Sequence, residues 1–164
     1  MGNSNCDTCG HDTSMCICPK QIGGQHYAAT YQHWDLCFDC QVPYLESCAT
    51  KYVSRWWKKG GFQDLEKAES YLLKLIEKLN AGHVSMSSDF NCEESSHYDA
   101  DEAFGFWVES ASIPTEEAAI CLEILEWNTV DDIAAVAARI RRHRQLASTK
   151  GALHPLAPYP TTND

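Results

Sequence analysis

Two consecutive segments carry apolar residues at helical spacing, and this feature constrains the fold most. Between residues 64 and 80, apolar side chains recur every three or four positions, and Gly82 follows the last of them. This stripe predicts an amphipathic helix that buries one face, with Asp64 able to cap its start. A similar pattern over residues 44–59, ended by two glycines, predicts another helix before it. Together the two segments predict a helical hairpin.

A second hairpin is predicted further along the chain. Residues 115–127 begin with acidic side chains, which suit a helix N-terminus, and Thr129 with Asp132 forms a capping box ahead of a second apolar stripe. Alternating apolar residues over 103–109 predict one short strand. No repeat of the solenoid type is found. The predicted fold class is mainly α: a small helical domain built on two helical hairpins, with an N-terminal zinc knuckle and one short strand as additions.

The same patterns divide the chain into regions. The regions are a cysteine-rich segment at 1–20, a helical domain at 21–82, an acidic linker at 83–102, a C-terminal helical hairpin at 103–147 and a flexible tail at 148–164. The linker is rich in Ser, Asp and Glu without a period, and the tail contains three prolines. We expect both to be extended and solvated.

The charge is unevenly distributed. The 164 residues carry a formal net charge of −10, and residues 81–130 hold 11 acidic and no basic side chains. This balance argues against binding to nucleic acid by overall attraction to phosphate. A basic run at residues 139–144 is predicted to be a solvated helix end that pairs with the acidic segment. No stretch is apolar enough to cross a bilayer, so we expect a soluble protein without membrane partners.

Nine cysteines are present, and four of them lie close together near the N-terminus. Cys6, Cys9, Cys16 and Cys18 form two close pairs, which can present four thiolates to one structural Zn²⁺. The alternative is that they are reduced surface thiols in a disordered leader. Because the sequence begins without a secretory signal, we expect a reducing, cytoplasmic location.

Three further cysteines, Cys37, Cys40 and Cys48, lie near the first predicted helix. Their apolar neighbours favour small core residues, although metal binding at the C-x-x-C pair is the alternative.

Basic residues line one side of each helix in the first hairpin. On the first helix they are Lys51, Arg55 and Lys58 or Lys59, and on the second they are Lys67, Lys74 and Lys78, with Tyr71 among them. Like charges arranged in this way repel each other unless something anionic lies between them. The spacing therefore leaves two interpretations: a solvated basic face, or an anion site between the helices.

The segment over residues 24–80 also contains a specific series of motifs. His26-Tyr27 and Trp34-Asp35 are followed by K-Y-x-x-R, K-G-G and D-L-x-K-A-x-x-Y-L between residues 51 and 72. In this order and spacing, the motifs resemble the phage SaV-like family, a domain that includes a deoxynucleoside monophosphate kinase without a Walker A loop. That kinase also carries cysteine-rich sequence ahead of the domain.

The resemblance implies a nucleotide site. The residues expected to act in catalysis are Lys51, Arg55 and Lys67. Those expected to bind substrate are His26, Tyr27, Tyr52, Lys59, Asp64 and Tyr71, with Lys74 added from the basic side of the second helix. Arg55 would clamp a phosphate, the lysines would act as point charges, and a tyrosine would stack on the base. His26 would donate to a phosphate or brace its loop, and Asp64 is expected to be a helix cap rather than a metal ligand.

The sequence leaves three hypotheses for the function, each from a different class. The first is a nucleotide kinase that phosphorylates deoxynucleoside monophosphates with ATP or another triphosphate. The second is a non-catalytic protein that binds or sequesters nucleotides. The third is a zinc-stabilised module that binds a host protein. Because no G-x-x-x-x-G-K-[ST] loop is present, neither ATP nor Mg²⁺ has a recognised site. The resemblance further implies the cytoplasm of an infected bacterium, and the short helices predict a homo-oligomer.

Overall fold

The computed structural model describes residues 30–83, Phe90 and residues 98–149. Within these ranges the chain forms α-helices and no strand. The helices are α1 (His33–Asp39), α2 (Tyr44–Val53), α3 (Phe62–Asn80), α4 (Ala100–Ser110), α5 (Thr115–Leu125) and α6 (Val130–Thr149). The mainly α class is therefore confirmed for the described part of the chain. None of these helices is long and apolar enough to span a membrane.

Both predicted hairpins form, and they pack against each other. In the first hairpin α2 lies against α3, and in the second α5 lies against α6. The hairpins meet through two further contacts, α2 with α5 and α3 with α6, while α1 packs on α4. Leucine, isoleucine and tryptophan side chains fill the space between them, among them Leu65, Leu72, Trp107, Ile120 and Ile133.

The predicted strand at 103–109 is wrong, because these residues lie inside α4. The Asp99 carboxylate accepts a hydrogen bond from the Glu102 amide at 2.9 Å, and Glu102 reaches back to the Asp99 amide. This capping box starts a helix that buries Ala103 and Trp107, a spacing of four. The apolar alternation that suggested a strand therefore includes partly exposed side chains of a helix.

Several predicted boundaries also move. The first helix of the hairpin ends at Val53 rather than near residue 59, and the next begins at Phe62 with Gly61 as its N-cap. Asp64 is consequently the third residue of α3 and not its cap, which corrects the prediction. Part of the predicted linker and tail is helical, since α4 starts at residue 100 and α6 continues to 149. The rest of the linker and tail, apart from His83, Phe90, Tyr98 and Asp99, and the predicted zinc knuckle lie outside the described residues.

The second three helices repeat the arrangement of the first three. Gln41 after α1 and Ser112 after α4 have positive φ angles of 49° and 50°. Each is followed by a β-branched residue and then by Pro43 or Pro114, which caps the next helix. The hydrogen bonds match as well, with Val42 N to Cys37 O at 3.0 Å and its counterpart at 2.9 Å. We call α1–α3 the first half and α4–α6 the second half.

Reciprocal contacts join the two halves. Trp127 donates its indole N–H to the buried Glu46 at 3.2 Å, and Trp56 donates to the buried Glu117 at 2.8 Å. Glu46 and Trp56 occupy the same places in the first half that Glu117 and Trp127 occupy 71 positions later. Exchanging the two halves therefore converts one contact into the other, as at the interface of a symmetric dimer.

The longest helices, α3 and α6, correspond with a slightly different spacing. Leu65, Ala68 and Leu72 of α3 match Ile133, Val136 and Ile140 of α6, each 68 positions later, and all six are buried. The change from 71 to 68 means that three more residues lie between the matched positions of α2 and α3 than between those of α5 and α6. The longer stretch contains the two consecutive glycines of the K-G-G motif.

Candidate functional site

The ion pairs of Asp64 organise the site. The Asp64 carboxylate accepts from Arg55 Nε at 3.0 Å and from Lys67 Nζ at 3.1 Å. Its side chain is 1% exposed, against 18% for Arg55 and 42% for Lys67. A buried carboxylate therefore fixes two cations whose charged ends lie nearer to solvent. Together with Tyr52 and Tyr71, these residues form what we call the cationic cluster. Lys51 is exposed on α2, four residues before Arg55, and none of the contacts described for this part of the chain joins its side chain to the cluster.

The two glycines before α3 make room for this carboxylate. A Cβ atom built on Gly60 would lie 1.9 Å from Cγ of Asp64, a distance that no structure tolerates. Gly61 combines a φ of +58° with a ψ of −152°, a backbone conformation that essentially only glycine adopts. The glycines of the K-G-G motif and the aspartate that follows thus belong to one local structure.

Aromatic rings extend the cluster on one side. The Arg55 guanidinium lies 4.8 Å and the Lys67 ammonium 5.2 Å from the centre of the Tyr52 ring. Tyr52 stacks on Tyr71 with centroids 5.8 Å apart and an interplanar angle of 15°. Tyr44 meets Tyr71 edge-on at 6.3 Å and is 73% exposed. The cations are therefore held by cation–π contacts at one end of a row of three tyrosines.

Two ionisable groups in or beside the cluster have shifted pKa values. The adjacent thiol of Cys48 is the main cause that raises the pKa of Tyr71 to about 12, so its hydroxyl stays a hydrogen-bond donor at neutral pH. Burial, together with the charges of Lys51 and Arg55, lowers the pKa of His33 to about 3. His33 bonds to Thr50 Oγ1 at 2.9 Å and remains neutral. The positive charge of the cluster is therefore felt on the inner side of α2.

Other predicted site residues lie elsewhere. Lys74 pairs with Glu77 at 2.7 Å on the exposed side of α3. Lys59 lies in the connection after α2, where its amide bonds to Arg55 O at 3.0 Å. His26 and Tyr27 lie outside the described residues, as do the four cysteines of the predicted zinc site, Cys6, Cys9, Cys16 and Cys18. Among the residues that are described, no group of His, Cys, Asp or Glu could hold a metal ion.

The remaining cysteines of the first half behave differently from one another. Cys40 is buried and disulfide-bonded, which departs from the expectation of reduced thiols throughout. Cys37 and Cys48 are free and half-buried, and Cys37 contacts Ser47 Oγ at 3.1 Å. Burial is the main cause that raises the pKa of the Cys37 thiol. Cys37 is therefore a packing residue and not an activated nucleophile.

The basic run of α6 pairs with carboxylates from two helices. Arg139 contacts Glu116 at 3.0 Å and also Glu123, and His143 contacts Glu117 at 2.9 Å. These three partners belong to the acidic segment, so the predicted pairing is confirmed for Arg139 and His143. Two of the other arginines reach α3 instead: Arg141 pairs with Glu69, and Arg144 pairs with Glu66 at 2.9 Å. The run lies inside α6, which continues to Thr149, so the predicted helix end is wrong.

Sequence reasoning missed the structural part of Asp64 and the exposed ring of Tyr44. Asp64 lies near a helix start, where a capping role is the common expectation. The signal that could have revealed its role is the glycine pair, because a side-chain cap does not need two glycines before it. Tyr44 lies two turns before Tyr52, on the same side of α2.

Comparisons with known proteins give no further guide to this site. No protein-family model, curated protein or solved structure matches the chain.

Proposed function

We propose that the chain is a nucleotide kinase of the phage SaV-like type, acting in the cytoplasm of an infected bacterium. It would transfer the γ-phosphoryl group of ATP or another triphosphate to a deoxynucleoside monophosphate at the cationic cluster. One observation carries the proposal: the buried Asp64 holds Arg55 and Lys67 side by side over Tyr52. Cations held in this way need little reorganisation when a phosphate arrives.

The reaction suits a site without a base. An oxygen of the acceptor monophosphate attacks the γ-phosphorus, a new P–O bond forms, and the bond to the β-phosphate oxygen breaks to release the nucleoside diphosphate. The acceptor oxygen is already ionised, so no proton must be removed from it. The demand on the protein is to position two anions and to neutralise charge on the transferred group. Arg55 and Lys67 supply two positive charges for this purpose against the single charge of Asp64, and Lys51 would add a third.

The tyrosines would orient the nucleoside. The Tyr52 ring is already in contact with the two cations and with Tyr71. The exposed ring of Tyr44 is thus the surface on which a base could stack. The Tyr71 hydroxyl, which keeps its proton, can donate to a sugar or phosphate oxygen.

A direct assay tests the proposal. Purified full-length protein is incubated with ATP and each deoxynucleoside monophosphate, with and without Mg²⁺, and the diphosphate product is separated and quantified. We expect product with at least one acceptor and a loss of roughly 100-fold or more in Arg55→Gln. Lys74→Gln is the matched control, because Lys74 lies on the same hairpin but pairs with Glu77 outside the cluster. Absence of product with every acceptor removes the kinase proposal.

A second candidate, a non-catalytic nucleotide binder, is favoured by a different observation. Among the described residues of the cluster, Asp64 is the only carboxylate, and Arg55 and Lys67 already engage it. A Mg²⁺ ion bound to the phosphates would therefore find no available carboxylate ligand there. Calorimetry that shows nucleotide binding abolished by Arg55→Gln, with no turnover in the assay above, selects this candidate.

The zinc site and the assembly are separate proposals. A structural Zn²⁺ at Cys6, Cys9, Cys16 and Cys18 predicts one zinc per chain by elemental analysis, lost when these cysteines are changed to serine. A zinc-stabilised module for a host protein would lose partner capture upon chelation but not in Arg55→Gln. Sedimentation of the full chain tests the expected homo-oligomer.

A further inference from the structure

Helices α1 and α4 pack on each other and expose aromatic side chains on their outer side. Trp34 and Phe38 lie one turn apart on α1 and are 57% and 84% exposed. Phe106 of α4 and Tyr98 just before it are 43% and 38% exposed. Four of the seven large apolar side chains that are exposed in the described part of the chain thus belong to this layer. We call these four side chains the aromatic face.

Side-chain contacts connect the two helices across this face. The Tyr31 hydroxyl donates to Asp39 Oδ2 of α1 at 2.7 Å, and the Tyr31 ring meets Tyr98 edge-on at 6.1 Å. Tyr98 in turn contacts Phe106 of α4, with ring centres 4.8 Å apart. On α1, Asp35 lies one turn before Asp39 and beside Phe38. The exposed rings therefore form a continuous apolar region and not a scatter of single side chains.

The aromatic face is surrounded by negative charge. Neither helix contains Lys or Arg, and the six carboxylates of the layer are those of Asp35, Asp39, Asp99, Asp101, Glu102 and Glu109. Within the residues that the structure describes, none of the six has an ion pair. Glu102, Phe106 and Glu109 follow one another at spacings of four and three, which places the ring between two carboxylates on one side of α4.

This combination determines which partner fits. Nucleic acid and anionic lipid would be repelled by the carboxylates. A second copy related by a two-fold axis would place the same carboxylates opposite one another, so the face is not complementary to itself. A peptide segment with Lys and Arg among apolar residues meets both features. Its apolar side chains would cover the rings, and its cations would lie against rings and carboxylates.

The dimensions suit a single segment. At 1.5 Å per residue, the 7 residues of α1 and the 11 residues of α4 are about 10 Å and about 16 Å long. A surface of this size matches one helix laid on it better than the interface of two globular proteins, which needs about 800 Å² on each partner.

We propose that the aromatic face of α1 and α4 is a docking surface for a basic amphipathic segment of a partner protein. This inference does not rest on the proposed function. The cationic cluster belongs to the first hairpin and has the opposite charge, so it would repel the same segment.

Fluorescence anisotropy with the full chain tests the inference. The probe is a labelled amphipathic peptide of Leu, Lys and Arg, about as long as α4, and its counterpart carries Glu in place of each basic residue. We expect saturable binding of the basic peptide, weakened by added salt, and no binding of the acidic one. Equal binding of both peptides, or binding of neither, overturns the inference.

Matched variants locate the binding. Phe38→Ser removes the most exposed ring and should weaken binding of the basic peptide about tenfold. Leu146→Ser is its control, because Leu146 is 52% exposed on α6, outside the face. Glu109→Gln removes one unpaired carboxylate and should cause a smaller loss at low salt, while Asp131→Asn on α6 should cause none. Wild-type affinity in both Phe38→Ser and Glu109→Gln overturns the inference.

Two measurements separate this surface from the candidate nucleotide site and from self-association. Arg55→Gln should bind the peptide as the wild type does, so a failure of the kinase assay leaves this inference standing, and the reverse holds as well. Sedimentation then compares the wild type with Phe38→Ser. If the variant dissociates an oligomer that the wild type forms, the face is a contact between copies and the inference is overturned.

Discussion

Arg55 and Asp64 form an ion pair of 3.0 Å across the connection between α2 and α3. Arg55 lies just beyond the end of α2, and Asp64 lies in the first turn of α3. The Asp64 carboxylate is almost completely buried. Arg55 and Lys67 contact it and compensate its charge there. The same contact that closes the hairpin thus arranges the candidate phosphate site, and the predictions below follow from this double role.

Replacing Asp64 should cost both stability and binding. Asp64→Asn keeps the shape but removes the charge that gathers Arg55 and Lys67, and we expect a loss of about 1–3 kcal/mol in the free energy of unfolding. Nucleotide affinity should fall as well, because the cations lose their fixed positions. Chemical denaturation and calorimetry measure the two effects. Asp131→Asn, an exposed change in the first turn of α6, is the control. Unaltered stability in Asp64→Asn would show that the buried pair does not support the hairpin.

Three glycine substitutions should have different effects on binding and on the free energy of unfolding. Gly60→Ala places a methyl group 1.9 Å from Cγ of Asp64, so we expect displacement of the carboxylate and loss of nucleotide binding. Gly61→Ala meets no atom within 4 Å but requires a φ of +58° with a ψ of −152°, which costs about 1–3 kcal/mol. Gly105→Ala lies inside α4 with open space around it and should stabilise by up to about 1 kcal/mol. Thermal unfolding of the three variants checks this order, and equal effects would contradict it.

The helices of both hairpins could be predicted from the sequence because each buries one face at regular spacing. The capping box of Thr129 and Asp132 is present as predicted, with the Thr129 amide 2.8 Å from the Asp132 carboxylate. Helix α4 was mistaken for a strand because alternation over seven residues outweighed the capping box of Asp99 and Glu102. The relation between the two halves escaped prediction because it depends on contacts distant in sequence, such as those of Trp56 and Trp127, and because few residues are identical.

Neutralising the equivalent carboxylates Glu46 and Glu117 should change the free energy of unfolding in opposite directions. Burial raises the pKa of Glu46. Burial also acts to raise the pKa of Glu117, but hydrogen bonds from His143 and Trp56 outweigh it and lower that pKa. Glu46→Gln should therefore increase stability at neutral pH, since the amide removes a buried charge and keeps an acceptor for Trp127. Glu117→Gln should decrease stability by about 1–3 kcal/mol.

The pH dependence of the stability of these variants follows from the direction of each pKa shift. A folded pKa above the unfolded value means that stability falls as pH rises between the two, so the gain in Glu46→Gln should disappear in acid. A lowered pKa gives stability that is present above the ordinary carboxyl pKa of about 4.3 and is lost as pH falls through the folded value. The deficit of Glu117→Gln should thus shrink in acid. Denaturation at several pH values measures both, and changes of equal sign at neutral pH would refute the assignment.

His33 should make the fold sensitive to mild acid. The folded protein keeps the imidazole neutral down to about pH 3, whereas in the unfolded chain it gains a proton near its ordinary pKa of about 6.5. Stability from this group is therefore complete above that value and declines as pH falls towards 3. In His33→Gln, which cannot titrate, the decline between pH 6.5 and 4 should be smaller than in the wild type. Parallel stability curves for the two proteins would show that His33 does not contribute.

Part of the candidate site could also be predicted from sequence. Helical spacing placed Lys51 and Arg55 near Lys67 and Tyr71, and the structure brings Arg55, Lys67 and Tyr71 together around Tyr52. Helical spacing did not predict the position of Lys74 correctly. Lys74 pairs with Glu77 within α3 and lies outside the cluster. The role of Asp64 could not be predicted, because a carboxylate near a helix start gives the same pattern whether it caps the helix or receives side chains.

Phosphoryl transfer to deoxynucleoside monophosphates, compared between the wild type and Arg55→Gln, tests the central claim most directly. Both proteins are first shown to have the same helical content and unfolding cooperativity, so that a difference reports on the site. The cationic cluster predicts diphosphate product from the wild type and a loss of roughly 100-fold or more in the variant. Equal nucleotide binding by both proteins, with no diphosphate formed by either, would contradict the claim that Arg55 and Asp64 build a nucleotide phosphate site.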